Sequence, residues 1–176
     1  DCASAVVGSG SFAWSSDGSN PPPTGWIVGG GSTSFASFYD NGAFGVVGIS
    51  GPNVIGFGGN GTTGATLSET FDTVAGTTYT VDYFVTSQQG NVNGGQSVLV
   101  QALNGAAILG STTDVIPDYN QAIEDFHWFA GSPLSFVAAG ASSTIRFTDT
   151  TVGSASFAAN WALDGVSVSG DVVTPP

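Results

Sequence analysis

The segment Thr78-Tyr79-Thr80-Val81-Asp82-Tyr83-Phe84-Val85 decides the fold class. Tyr79, Val81, Tyr83 and Val85 recur at every second position, with Thr80 and Asp82 between them. A period of two puts the apolar set on one face of a strand and the polar set on the other. The same alternation runs through residues 143–148, where Ile145 and Phe147 oppose Thr144, Arg146 and Thr148. Turn signals separate such runs: Ala75-Gly76, Asn93-Gly94-Gly95, Asn104-Gly105 and Ala139-Gly140. Strands spaced by about ten residues, with turns between them, predict antiparallel β architecture, a sandwich or a barrel. The sole helical expectation is one or two turns over Pro117–Asp125.

Working outward, the N-terminal third is richer in glycine. Sixteen of the 27 glycines fall in residues 1–64. An interior glycine costs a helix about 1 kcal/mol against alanine, so this part reads as short strands and tight turns. Pro21-Pro22-Pro23 is a stiff extended connector. No internal repeat and no boundary divides the chain. Residues 1–176 read as a single domain with a C-terminal tail (171–176); the N-terminal strand (1–12) pairs within its own sandwich or, as the alternative, is flexible and exchanged between molecules.

The last strand carries a phase change. Trp161 and Leu163 share one face, but Val166 and Val168 fall out of step with them by one residue. One extra residue at Asp164-Gly165 restores a common face. That is a β-bulge, a usual place for glycine, and it would re-aim the Asp164 carboxylate.

Composition excludes several function classes. The chain has 176 residues, of which 8% are charged. There are thirteen acids, one base (Arg146) and one histidine (His127), giving a net charge of -12. A nucleic-acid binder needs a basic footprint, and adhesion to anionic lipid needs a basic surface. Phosphate chemistry recruits Lys and Arg clamps. One arginine supplies none of these. A hydrophobic content of 41% is far from the signature of disorder. No apolar run is long enough to span a membrane as a helix. Cys2 is the single cysteine, so no intrachain disulfide forms. It reads as a free thiol, with an intermolecular disulfide or an acylated anchor as alternatives. The start at Asp1 fits a removed signal peptide.

Four stretches together carry a resemblance: Gly10-Ser11-Phe12-Ala13-Trp14 with Gly25-Trp26, then residues 67–85, then 136–149, then Asn160-Trp161-Ala162-Leu163-Asp164-Gly165-Val166-Ser167-Val168. Their order resembles the galactose-binding-like jelly rolls, including secreted carbohydrate-binding modules. It looks closest to bacterial secreted proteins of that type that carry a C-terminal PEP sorting signal for exosortase. The resemblance implies an all-β jelly-roll sandwich of two antiparallel sheets. Two positions depart from the family pattern: Ala13 replaces a glutamate and Gly165 replaces a second aspartate.

The resemblance also implies a structural calcium near the first and last strands, with Asp164 as the carried-over ligand. Asp40 and Asn41, in an Asp-Asn-Gly turn, are a further oxygen-rich guess for the metal. The other reading is that Asp164 only bonds the bulge backbone and Asp40 caps a turn. Sugar binding needs aromatic platforms beside amide or carboxylate groups. Trp26, Tyr39, Tyr119 and Trp128 are the candidates, with Gln88, Gln89, Asn91 and Asn93 as a polar rim. The competing reading makes Trp26 and Trp128 core residues. Glu124, Asp125 and His127 lie close together, but no Gly-x-Ser-x-Gly elbow accompanies them and no spacing singles out a carboxylate pair. The chain therefore reads as a non-enzyme. Arg146 is expected to pair with Asp82 or Asp149.

Three functions compete: an extracellular structural or adhesive protein of the cell surface or matrix, a carbohydrate-binding module, and a secreted hydrolase. The first leads on surface arithmetic. Few charges and a mean hydropathy of +0.23 leave little to dilute apolar surface, and sheet edges without lysine lack a common block against pairing. Self-association into filaments or sheets and contact with extracellular polysaccharide are the expected partnerships.

Overall fold

The structure is a computed structural model that describes residues 12–15, 25–30, 35–40, 47–49, 53–58, 63–87, 95–117, 127–152 and 161–171. At 12–15, 35–40 and Asn53 the description covers the backbone. The helix expected over Pro117–Asp125 lies almost wholly outside these residues, as do the segments before Phe12 and after Asp171.

Twelve strands are described: β1 (Phe12–Ser15), β2 (Trp26–Gly29), β3 (Phe35–Asp40), β4 (Asn53–Phe57), β5 (Thr66–Asp72), β6 (Thr78–Ser87), β7 (Ser97–Asn104), β8 (Ala107–Val115), β9 (Phe129–Ala130), β10 (Leu134–Val137), β11 (Ser142–Asp149) and β12 (Trp161–Gly170). They form two sheets, and every described pairing is antiparallel. One sheet has seven strands in the order β1-β3-β4-β12-β6-β10, with β9 also on β6. The other has five, β2-β5-β11-β7-β8. Of the sandwich or barrel that the alternation predicts, the chain forms the sandwich of two antiparallel sheets that the jelly-roll resemblance implies.

The two deciding segments become the central strands β6 and β11. Val81, Tyr83 and Val85 of β6 are buried, as are Ile145 and Phe147 of β11. Tyr83 meets Phe147 edge-on at 5.4 Å, so the two strands face one another through the core. Trp161 of β12 stacks on Phe57 of β4 at 4.1 Å with the rings 3° from parallel. Burying a large apolar side chain contributes about 1.5–3 kcal/mol, so these residues are among those that drive the two sheets to close.

The bulge occurs where the phase change places it. Asp164 pairs with Phe84 and Ser167 with Asp82, so Gly165 and Val166 together oppose Tyr83. Gly165 has φ of +60°, the left-handed region that a bulge of this type requires. The extra residue returns Val168 to the face of Trp161 and Leu163, opposite Val81.

Candidate functional site

Loop residues cover the part of the outer face of the seven-stranded sheet around Asp164 and Thr86. Asp164 alternates with the inward Leu163 and so points outward, yet it is 5% exposed. Its Oδ2 accepts the Ile49 amide at 2.6 Å, and its Oδ1 accepts the Gly165 amide at 2.6 Å. Beside it, the Thr86 hydroxyl donates to the His127 carbonyl at 2.9 Å. The Trp128 indole donates to the Val47 carbonyl at 2.8 Å. Residues 47–49 and 127–128 thus lie over this sheet and are pinned to it.

This accounts for several predicted site residues. Asp164 holds the bulge and a strap of remote chain. Among the described residues no group of three or more His, Cys, Asp and Glu side chains comes together. The ladder pairs Tyr39 with Val54 and Asp40 with Asn53; the side chains of Tyr39 and Asp40 lie outside the described residues, as do Asn41, Tyr119 and the polar rim 88–93. Trp128 is half-buried and engaged with Val47. The expectation that Trp26 is an exposed platform is corrected: it is 6% exposed and part of the core. Its place in β2 explains this. Trp26 and Val28 align with the inward Glu69 and Leu67 of β5, which turns Ile27 to solvent.

The outer face of the five-stranded sheet presents Ser68 and Thr70 of β5, Thr144, Arg146 and Thr148 of β11, and Gln101 of β7, in cross-strand rows. Thr70 and Thr144 share a hydroxyl bond of 2.7 Å. Arg146 Nη2 donates to Gln101 Oε1 at 2.6 Å. The expected ion pair of Arg146 with Asp82 or Asp149 is therefore corrected. Asp149 alternates to the inner side of β11, and Asp82 belongs to the opposite sheet, so the guanidinium meets its register partner Gln101 instead.

A cleft of about 660 Å³ opens at the β5–β6 turn, lined by Val74, Ala75, Gly76, Thr77, Tyr79, Gly170 and Asp171. Two glycines shape it. Gly76 adopts φ of +82°, which lets the turn fold back. Gly170 pairs with Tyr79, and a Cβ there would come within 2.7 Å of the tyrosine ring. The missing side chain therefore makes room for the ring. Tyr79 also stacks on Phe136 at 5.7 Å and meets Phe71 edge-on at 6.3 Å. Its hydroxyl accepts the Val74 amide at 3.0 Å, which leaves the hydroxyl hydrogen to a ligand. Asp171 is fixed by its amide bond to the Thr78 carbonyl, 2.9 Å. The cleft thus joins a rigid aromatic, a carboxylate, a threonine hydroxyl and small apolar groups. Its volume is within the usual range of ligand pockets, about 300–1,000 Å³. Sequence reasoning missed it. Alternation places Tyr79 on the inner face correctly, but the cleft depends on Gly170 and Asp171 arriving beside the 74–77 turn. The one local signal was the Gly-Asp pair at the end of an alternating strand.

No protein-family model matches the chain, and no curated protein matches it. Solved structures do share the fold. The K1 cleaved adhesin domain of Lys-gingipain from Porphyromonas gingivalis W83 aligns with a TM-score of 0.59 at 17% identity, covering 90% of this chain and 97% of that one. TmCBM61, solved with β-1,4-galactotriose, aligns at 0.51 and 11% identity, covering 82% and 88%. The CBM22-1–GH10 modules of Clostridium thermocellum xylanase 10B, complexed with xylohexaose, align at 0.50 and 14% identity, covering 86% of this chain and 27% of that one. This chain spans about a quarter of the xylanase chain. The architecture is that of a β-sandwich domain, a class that includes carbohydrate-binding modules and adhesin domains.

Proposed function

We propose that this chain is a non-catalytic carbohydrate-binding module of the cell exterior and that it holds a saccharide in the cleft at the β5–β6 turn. The observation that carries the reading is the juxtaposition of Tyr79, Asp171 and Thr77 in that cleft. An aromatic ring accepts the apolar face of a sugar, and the carboxylate and hydroxyls bond its hydroxyl groups. The fold shared with TmCBM61 supports a binding module over the self-assembling material that the composition suggests. A net charge of -12 selects a neutral glycan, because a polyanion would be repelled.

Affinity electrophoresis against neutral polysaccharides, including xylan and galactan, tests this, followed by calorimetry with their oligosaccharides. The wild type is expected to bind at least one. Asp171→Ala and Thr77→Ala are expected to weaken binding about tenfold, the loss of one buried polar contact. Failure to retain any neutral glycan, or retention unaltered by both substitutions, removes the proposal.

A further inference from the structure

β8 is an end strand of the five-stranded sheet. It runs nine residues, Ala107–Val115. The other end strands are short: β2 has four residues, as do β1 and β10 of the seven-stranded sheet. Short end strands, lysine and proline are ways in which a sheet edge avoids accepting another strand. Pro133 precedes β10, whereas β8 contains neither proline nor lysine. Past the bulge at Leu109, residues 110–115 pair with β7 without a break.

The direction of its backbone groups follows from one bond. The Ile116 amide donates to the Gln96 carbonyl at 2.9 Å. Backbone N–H and C=O groups alternate sides along a strand, so Gly110, Thr112 and Asp114 also turn theirs to β7. On β7 the next carbonyl, Ser97, accepts the Thr150 amide on the far side, in phase with this. Ser111, Thr113 and Val115 therefore turn three N–H and three C=O groups away from β7. No other described strand pairs with them. Their side chains are exposed, Val115 by 73%. A row of unpaired backbone groups is a template for an added strand. Charge does not block this edge. The chain carries -12, but β8 contributes one acid, and the Asp114 carboxylate is turned inward to Tyr83 and Ser132.

We propose that β8 pairs antiparallel with β8 of a second copy of this chain, about a twofold axis at Thr113. That register sets Thr113 opposite the partner's Thr113 and Ser111 opposite the partner's Val115. Each of these pairs exchanges both backbone bonds. Asp114 meets the partner's Thr112 rather than a second acid, so no like charges oppose one another. A second copy is the occupant because the edge is its own complement. The free groups are symmetric about Thr113, and a copy of a strongly acidic chain here brings its least charged border. The contact is isologous and closes at two, in place of the filaments that composition suggests. One strand pair buries less than the roughly 1,200 Å² of a stable complex, so the dimer forms at high concentration and dissociates on dilution. β8 lines no part of the cleft, so the dimer stands independently of sugar binding.

Sedimentation velocity on the full chain, diluted from the millimolar to the micromolar range, tests this. The wild type is expected to pass from dimer to monomer on dilution, with no larger species. Thr113→Lys sets two cations face to face on the axis and is expected to weaken the dimer at least tenfold. Thr113→Pro removes a donor that β7 does not use and is expected to do the same. Both monomers are expected to melt as the wild-type monomer does; should Thr113→Pro fail to fold, Thr113→Lys carries the test. In a Cys2→Ser background, Thr113→Cys is expected to give a disulfide-linked dimer on oxidation. Opposed residues of a hydrogen-bonded pair lie about 5.5 Å apart, within disulfide reach. Ser111→Cys, opposite the partner's Val115, is expected to give no such link. A chain that stays monomeric at every concentration overturns the proposal, whether the edge is bare or covered by another stretch of the same chain. So does a dimer that Thr113→Lys leaves intact, or a series of larger species. Oxidation that fails to link Thr113→Cys, or that links Ser111→Cys equally well, overturns it too.

Discussion

Tyr83 and Asp114 bond across the sandwich: the Tyr83 hydroxyl, from β6 of one sheet, donates to Asp114 Oδ2, from β8 of the other, at 2.5 Å. The Ser132 amide donates to the same oxygen at 2.8 Å. Burial, with the Asp114 bond and charge added, pushes the Tyr83 hydroxyl well above its ordinary tyrosine range. Burial also pushes the Asp114 carboxyl up, but the bonds from Ser132 and Tyr83 outweigh it and hold the carboxyl below its ordinary range.

The sign of the pH dependence follows. A carboxyl held low when folded stabilises the fold at neutral pH, and that contribution is lost as the pH falls below about 4, the unfolded value, and through the folded one. Asp114→Asn is expected to flatten this part of the melting curve against pH. Tyr83→Phe is expected to cost about 1–2 kcal/mol at neutral pH, for one bond to a half-buried charge. An acid limb identical in Asp114→Asn and wild type would refute the assignment.

Gly165 sets the bulge. Its φ is +60°, and a Cβ there would lie 2.9 Å from the Phe84 ring. Left-handed backbone costs a residue with a side chain roughly 1–2 kcal/mol, and the ring must also shift. Gly165→Ala is expected to destabilise by about 2 kcal/mol in urea unfolding. An unchanged midpoint would show that the bulge relaxes freely.

Arg146 is tied to a buried amide. Arg146→Leu leaves the Gln101 oxygen without its donor at 7% exposure, which is expected to cost about 1–3 kcal/mol. The double variant Arg146→Leu, Gln101→Leu removes both partners and is expected to recover most of the loss. A double variant less stable than the single one would show that the guanidinium matters by packing rather than by this bond.

Phe57→Ala removes half of the stacked pair with Trp161. Both rings are fully buried, so a loss of about 3–5 kcal/mol is expected on thermal or urea unfolding. A loss under 1 kcal/mol would mean that the core collapses to fill the space.

The fold was legible wherever one strand face is apolar. Val81, Tyr83, Ile145 and Phe147 declare their burial through a period of two that local sequence contains in full. The bulge was legible for the same reason, since a phase slip between Leu163 and Val166 is local. The sites were not. Trp26 is inward because β2 pairs with β5 in a particular register, and no feature of its neighbourhood states that register. The Asp164 carboxylate accepts the Ile49 amide across 115 positions of sequence. Tyr79 faces an open cleft only because Gly170, far along the chain, has no side chain to fill it.

The position of β12 has a consequence for the order of events in folding. It is the last described strand in sequence, yet it lies between β4 and β6 inside the seven-stranded sheet. During synthesis β4 and β6 therefore emerge with bare edges and no neighbour between them. Phe57 waits for Trp161, and Ile55 waits for the partner of its row, Leu163. Long-range pairing of this kind is slow, because loop closure must precede any contact that rewards it. A nascent chain that ends short of Trp161 holds two unclosed half-sheets. The domain commits to its native state as one late step, when the final strand slides into the gap.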